Sequence, residues 1–369
     1  MIRAEMKKAW SRPMTIIALL YACLLQVFYP FSNRDTSLRE LSAEINKMSG
    51  PMNSSWDKTI SARYKAEWGD SGPSDEEYGT LSAGQKALLY AMPYTDFSSM
   101  TDDLVAAMNQ TYGRKTEQYY SGLKKAAESG RLIFGISPAA ESMSDQSTVG
   151  IGFLLFMLLF SCSLFAGERN EGMAPLQATA HDGRRRLFFS KCLACQISAL
   201  IVWISENAVY ALTLTYLYGW GNLSAVCQGY NKNYCPYPLS EGQFLLAVLL
   251  MGFAASQAAA LLFFLLSYIP AGVQQIFALE FFALVLPALA RYFLDIGPLA
   301  LGIPCLMNCR ALLDRLCLLQ IGSAEIPYWM LAVSETGIII ILSVFIVRFL
   351  GRKAERAQVQ EHELNEVRI

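Results

Sequence analysis

The stretch Gln243–Tyr268, QFLLAVLLMGFAASQAAALLFFLLSY, contains no charged residue. At about 1.5 Å per residue, about 20 helical residues cross a hydrocarbon core about 30 Å thick, so this run is long enough to span one. Similar apolar runs lie near residues 13–31, 149–166, 194–218, 273–293 and 328–350 of the 369-residue chain. Hydrophobic residues make up 53% of the sequence and charged ones only 17%, against about 25% charged in an average soluble domain. Mean hydropathy is positive. This balance disfavours a soluble enzyme or a disordered tail. The formal net charge of −1 gives no global basic field, so nucleic acid is not an expected partner. The expected fold is an all-α polytopic membrane protein with six transmembrane helices.

The first run, about Pro13 to Phe31, follows Arg3, Lys7, Lys8 and Arg12. No small-residue cleavage site follows it, and Phe28, Tyr29 and Phe31 crowd its far end like an interfacial belt. It reads as a retained span. Ahead of it, Ile2, Met6 and Trp10 at i, i+4 and i+8 form one apolar stripe, suited to a helix lying in the membrane surface. Residues 1–31 thus form an interfacial helix and first span. Residues 32–148 carry twelve Lys/Arg and sixteen Asp/Glu and no membrane-length run. They form a water-soluble insert, expected to be mainly helical, with candidate helices from Leu38 to Met48 and from about Ser98 to Ser129. Residues 149–351 complete the membrane domain, with an inner loop at 167–193, and 352–369 form a tail.

Short basic segments orient the chain. Residues 1–12 hold four Lys/Arg; the inner loop holds Arg169, Arg184, Arg185, Arg186 and Lys191; the tail region holds Arg348, Arg352, Lys353, Arg356 and Arg368. The opposite short loops hold only Lys232, Arg310 and Arg315. The positive-inside rule then places both termini in the cytoplasm and the insert outside, in a multi-pass cell (plasma) membrane protein. Ile269-Pro270-Ala271-Gly272 reads as a tight inner turn. Residues 294–327 are broken by Pro298, Pro304 and Pro327, yet Ile303 to Leu319 stays apolar with Arg310, Asp314 and Arg315 inserted. The expectation is a re-entrant outer helical hairpin before helix 6, the alternative an amphipathic surface helix.

Material for catalysis is scarce. His181 and His362 are the two histidines, so His-based metal sites and triads are not expected. Cys23 and Cys162 read as small apolar helix residues, and Cys192-x-x-Cys195 as helix packing. Cys227 and Cys235 lie in one outer loop and can form a disulfide in an oxidising compartment. Cys305, Cys309 and Cys317 fall in the outer hairpin. Leu81-Ser82-Ala83-Gly84-Gln85 imitates an ABC signature, and Gly79–Lys86 imitates a P-loop with its lysine one place late. Both lie in the outer insert, where ATP is lacking, and both read as coincidence. Asn53, Asn109 and Asn222 head sequons, relevant only in a eukaryotic secretory route.

Three glutamates interrupt apolar spans: Glu206, Glu280 and Glu335. Each costs about 2.5–3.5 kcal/mol at a helix centre on insertion scales, so each should face protein or water. One reading is a polar translocation path. The other is interhelical hydrogen bonding, helped by Ser205, Asn207, Ser334 or Thr336. Arg291 and Asp295, at i and i+4, read as an interfacial ion pair.

The inner loop runs Gly167-Glu168-Arg169-Asn170-Glu171-Gly172-Met173-Ala174-Pro175-Leu176-Gln177-Ala178-Thr179-Ala180-His181-Asp182-Gly183-Arg184 and reaches Lys191. A short helix from about Ala174 to Ala180, ended by Gly183, would present Met173 and Leu176 as apolar teeth for another protein. The pattern E…E-G-x…L…T…G-R…K between the second and third spans resembles type-2 ABC exporter permeases. So does the order of parts along the whole chain: basic interfacial helix, first span, large outer insert, five further spans and an outer hairpin. Pro175 inside the expected helix is a departure, tolerable in a first turn. The resemblance implies a permease subunit of an ATP-driven exporter, of bacterial type, which is not itself an enzyme. Glu168, Glu171, Leu176, Thr179, Gly183 and Arg184 would then form the coupling helix region that docks on a cytosolic ABC ATPase subunit. A second permease subunit, alike or different, would complete the transporter in membrane lipid. This chain would hold no cofactor; ATP-Mg would sit in the partner ATPase. Cargo would be a small molecule, peptide or ion. The alternative is a membrane-anchored sensor or immunity protein binding an extracellular peptide or cell-wall ligand. A proton-driven carrier lacks the internal repeat that such carriers often show.

Overall fold

The computed structural model describes residues 2–69, 72–74, 78–112, 116–162, 164–165, 183–228, 235–294, 310–314, 316–321 and 324–366. The fold is mostly helical. Helix α1 (Ile2–Trp10) leads into α2 (Pro13–Ser32), with Pro13 at the first helical position, where its missing N–H costs nothing. In the insert come α3 (Thr36–Lys47), strand β1 (Gly50–Pro51), α4 (Ser54–Trp68), α5 (Ala83–Ala91), α6 (Phe97–Tyr112), α7 (Glu117–Glu128) and strand β2 (Ile133–Phe134). Then follow α8 (Pro138–Ser144), α9 (Ser147–Ser161), α10 (Gly183–Tyr218), α11 (Glu241–Ser267) and α12 (Val273–Glu280). A π-helical turn, Phe281–Val285, joins α12 to α13 (Leu286–Leu294). The chain closes with α14 (Arg310–Leu313), strands β3 (Leu318–Ile321) and β4 (Ala324–Pro327), and α15 (Tyr328–Glu366).

Among the described residues, five helices are long and apolar enough to cross a membrane: α2, α10, α11, the α12–α13 unit and α15. The α8–α9 pair, bent by 44°, qualifies as a sixth if taken as one span. The chain is a multi-pass membrane protein on this evidence. Its outward faces agree: Leu212 is 71% exposed, Tyr216 73% and Phe345 68%, which only a non-aqueous surrounding accommodates in such continuous bands. Helix α9 is the exception. Phe153, Phe156, Met157 and Phe160 are buried on it, and it packs between α2, α10 and α11. A helix apolar on all sides has to be surrounded, and α9 is. Ala255, Ala258 and Ala259 on α11 are buried small residues of the kind that let membrane helices approach closely.

The insert has its own core of Ile45, Ile60, Leu88, Tyr94, Leu104, Tyr120, Leu123 and Phe134. Phe134 is packed by Trp56, Tyr90 and Tyr94 with ring centroids 4.9, 6.0 and 5.3 Å away. Three of the insert helices described start on a side-chain cap. Asp35 and Asn53 cap α3 and α4, and Ser82 with Gln85 forms a reciprocal capping box at α5. That capping box occupies the Leu81–Gln85 stretch that imitates an ABC signature.

Several expectations change. The single long helix from Ser98 to Ser129 is two helices, α6 and α7, packed on each other. The Met6 and Trp10 stripe of α1 faces the helix bundle: Trp10 Nε1 donates to Ser198 Oγ of α10 (3.0 Å), and its ring sits 6.0 Å from Phe156. Strands β3 and β4 pair antiparallel, Leu318 opposite Pro327 and Ile321 opposite Ala324, in a stretch where a helical hairpin was expected. Residues 295–309 of that stretch lie outside the described residues, with Asp295, Cys305 and Cys309. The strand pair also belongs to the insert. Leu316 and Leu318 join the insert core, as does Val226, and Tyr112 Oη donates to Leu316 O (2.6 Å). The insert core is therefore assembled from three distant stretches of chain.

Candidate functional site

The sequence nominated the inner loop, and most of it falls outside the described residues: Glu168, Glu171, Leu176 and Thr179 are among these, with His181. Gly183 and Arg184 belong to the first turn of α10. Gly183 therefore opens the next helix, whereas the sequence reading made it a terminator; α10 runs unbroken from the basic segment into the membrane.

What the structure does describe is the base on which this loop stands. Its two feet are Leu164-Phe165, just past α9, and the first turns of α10. Lys191, on α10, is only 1% exposed. Its Nζ donates to Leu164 O at 2.9 Å and lies 3.2 Å from Glu5 Oε2 of α1. It also stands 5.3 Å from the centroid of the Phe165 ring. A cation belongs there for two reasons: a helix ending in free carbonyls is negative at that end, and an aromatic face attracts positive charge. Phe165 and Phe188 pack their rings at steep angles, mostly edge to face, against Phe264 and Tyr268 at the α11 end, with centroids 5.1 to 5.5 Å apart. One buried ammonium thus ties both feet of the loop to each other and to the N-terminal helix. The sequence reading missed Lys191 and Glu5 as a pair. The available signal was a lysine set in the apolar run Leu187–Ala194, where a lone charge needs a partner.

Glu280 lies close to the same feet. Its Oε2 accepts from Ser161 Oγ (2.6 Å) and from Cys162 Sγ (3.3 Å), both at the end of α9. The π turn begins at the next residue, Phe281. Such turns insert an extra residue into a helix and occur often at functional sites.

Glu206 sits apart from Glu280, where α2, α9 and α10 meet. It is fully buried and its Oε2 accepts from Gln26 Nε2 at 3.3 Å; Gln26 Oε1 in turn accepts from Thr148 Oγ1 at 3.1 Å. Gly152 makes this possible, because a Cβ there would lie 2.7 Å from Glu206 Oε2. Both carboxylates make interhelical bonds, but not through the expected helpers. Ser205, Asn207 and Thr336 each bond back to a carbonyl one turn earlier on their own helix. The partners come from other helices, and Gln26, a polar interruption of the first apolar run, was the legible clue. Glu335 is half-buried on α15.

Cys227 and Cys235 are both fully buried, with Sγ atoms 3.7 Å apart. Cys195 is packed in the bundle, its Sγ 3.6 Å from Ala260 O. Cys192 is half-buried beside it in sequence, on the same helix. No group of three or more His, Cys, Asp or Glu able to hold a metal occurs among the described residues. Arg291 belongs to α13, and Asp295, its expected partner, lies outside the described residues.

Comparison with protein-family models, curated proteins and solved structures gives no match.

Proposed function

We propose that this chain is the transmembrane permease subunit of an ATP-driven ABC exporter, working with a separate cytosolic ATPase and a second permease subunit. The observation that carries the reading is the Lys191 clamp. A loop that receives a push from a partner must stand on a base that does not give way. Here the base is one buried ammonium joining the end of α9, the start of α10 and the N-terminal helix. Displacement of the loop would then move three elements together. ATP would act only through its preference for one of two packings of the membrane halves.

In this reading α8–α9 counts as the second of six spans. The basic termini and the 166–182 loop face the cytoplasm of a bacterial cell, and the insert faces outside. The segment before α15 ties into the insert, where Tyr112 Oη donates to Leu316 O (2.6 Å), and Arg310 reaches Glu141 of α8 at 3.6 Å. Glu168, Glu171, Leu176, Thr179, Gly183 and Arg184 are assigned to ATPase docking, and Glu206, Glu280 and Glu335 to a polar route that opens in the other packing.

The test is co-purification from native membranes under mild extraction, comparing wild type with Leu176→Asp plus Arg184→Glu. Co-eluting proteins are identified by mass spectrometry and ATP hydrolysis is assayed. An ATPase that accompanies wild type and is lost from an equally well-folded double variant is the expected result. Absence of an ATPase from both preparations would sink the reading in favour of a sensor or immunity protein.

A further inference from the structure

The connection between α10 and α11 folds back on itself. Cys227 N donates to Leu239 O (3.0 Å), and Val226 bridges Ser240. Gln228 Nε2 spans the two arms, donating to Cys235 O (3.0 Å) and Tyr237 O (2.6 Å). This lock faces two cysteine side chains toward each other, both wholly out of solvent, with their sulfurs 3.7 Å apart. A disulfide needs about 2.05 Å between sulfurs, so closure asks for an approach of about 1.7 Å, within reach of side-chain rotation on a fixed backbone. The other two buried thiols differ. Cys162 Sγ is bonded to Glu280 and Cys195 Sγ to Ala260 O.

We propose that Cys227 and Cys235 are joined by a disulfide in the mature protein. The bond forms by thiol–disulfide exchange with an extracytoplasmic oxidoreductase in its disulfide form. One cysteine thiolate attacks the oxidant's disulfide and gives a mixed disulfide. The second thiolate then attacks the chain's own sulfur in that mixed disulfide and expels the oxidant as a dithiol. Two electrons pass to the oxidant, and the two protons lost from the cysteines balance the two thiols it gains. Exchange precedes burial of the pair, because a folded loop excludes the oxidant. The bridge fixes two neighbouring contacts. Tyr94 Oη of the insert donates to Gln228 O (3.1 Å), and Trp329 Nε1 at the start of α15 donates to Tyr237 Oη (2.7 Å). The disulfide therefore fastens the insert to the first turn of α15. The proposal rests on the loop reaching an oxidising compartment and is independent of any ATPase.

Whole cells making the full chain are quenched in acid. The protein is denatured and alkylated with N-ethylmaleimide, then reduced and alkylated with iodoacetamide, and peptides are read by mass spectrometry. Cys227 and Cys235 should carry the second label and Cys162 and Cys195 the first. First-label modification of both Cys227 and Cys235 overturns the proposal. In Cys227→Ser, Cys235 should switch to the first label; if it keeps the second, its partner is a different cysteine and the assignment is wrong.

Discussion

Lys191 and Glu5 should differ sharply in what their removal costs. Lys191 is 1% exposed, while Glu5 keeps 14% of its side chain in contact with solvent. Glu5→Gln strips the counter-charge from an ammonium that cannot reach water, and breaking a buried pair this way costs about 3–5 kcal/mol. The Leu164 carbonyl and Phe165 ring remain, and a desolvated cation–π contact is worth about 2 kcal/mol, so about 3 kcal/mol is expected. Lys191→Met removes the cation itself. Met fills most of the stem volume, and the freed carboxylate turns toward solvent, for a cost of about 1 kcal/mol. In the Lys191→Met background, Glu5→Gln should cost about nothing, giving a coupling energy of about 3 kcal/mol. That is roughly a hundredfold in the folded-to-unfolded ratio. Equilibrium unfolding in mixed detergent–SDS micelles, followed by tryptophan fluorescence, measures all four proteins. Equal single costs that simply add in the double variant would refute the clamp.

Gly152→Ala should destabilise by about 1–3 kcal/mol, because the new methyl displaces Glu206 from Gln26; the same unfolding assay should show a smaller penalty when Glu206→Ala is already present. Asp35 Oδ1 accepts from Ser37 Oγ (2.7 Å) and Ser37 N (2.9 Å), which holds its carboxyl below the usual carboxylate range. A lowered folded value stabilises α3 above the ordinary aspartate pKa of about 3.9, and the contribution is lost as pH falls through the folded value. Hydrogen-exchange protection at Ser37 and Leu38 should fall over that window in wild type and stay flat in Asp35→Asn, which keeps the acceptor without titrating. Ser82→Ala removes half of the α5 capping box and should cost about 1 kcal/mol, seen as faster exchange over Ala83–Ala91.

The membrane helices were legible because an uncharged run such as Gln243–Tyr268 admits few other structures. The caps at Asp35 and Asn53 carry a local signal that the sequence reading passed over, since capping is decided within four residues. Less legible were features settled by distant chain. Nothing near Val226, Leu316 or Leu318 announces that they complete the core around Phe134. The β3–β4 pair had a local sign in Gly322-Ser323 between two apolar runs, but the surrounding prolines and charges favoured a broken helix. The sequence reading offered Ser205, Asn207, Ser334 and Thr336 as helpers of interhelical bonding, whereas Glu206 and Glu280 bond to Gln26, Ser161 and Cys162. A one-dimensional reading finds the buried charge and cannot choose its partner.

The three-part core of the insert also sets an order of events during synthesis. Ser137 leaves the ribosome 181 residues before Leu318. At about 5–20 residues per second, that interval lasts roughly 10 to 40 s. Throughout it, the insert core lacks the side that Leu316 and Leu318 supply. The apolar helices α10, α11 and α12–α13 are made before the last side of this core arrives. The insert therefore waits as an open bowl, exposed to proteases and to like-minded apolar surfaces. Final closure reports that the apolar helices ahead of α15 have been threaded. A chain stalled or mis-inserted at α11 or α12 would leave the bowl open, giving the cell a local mark by which to discard it.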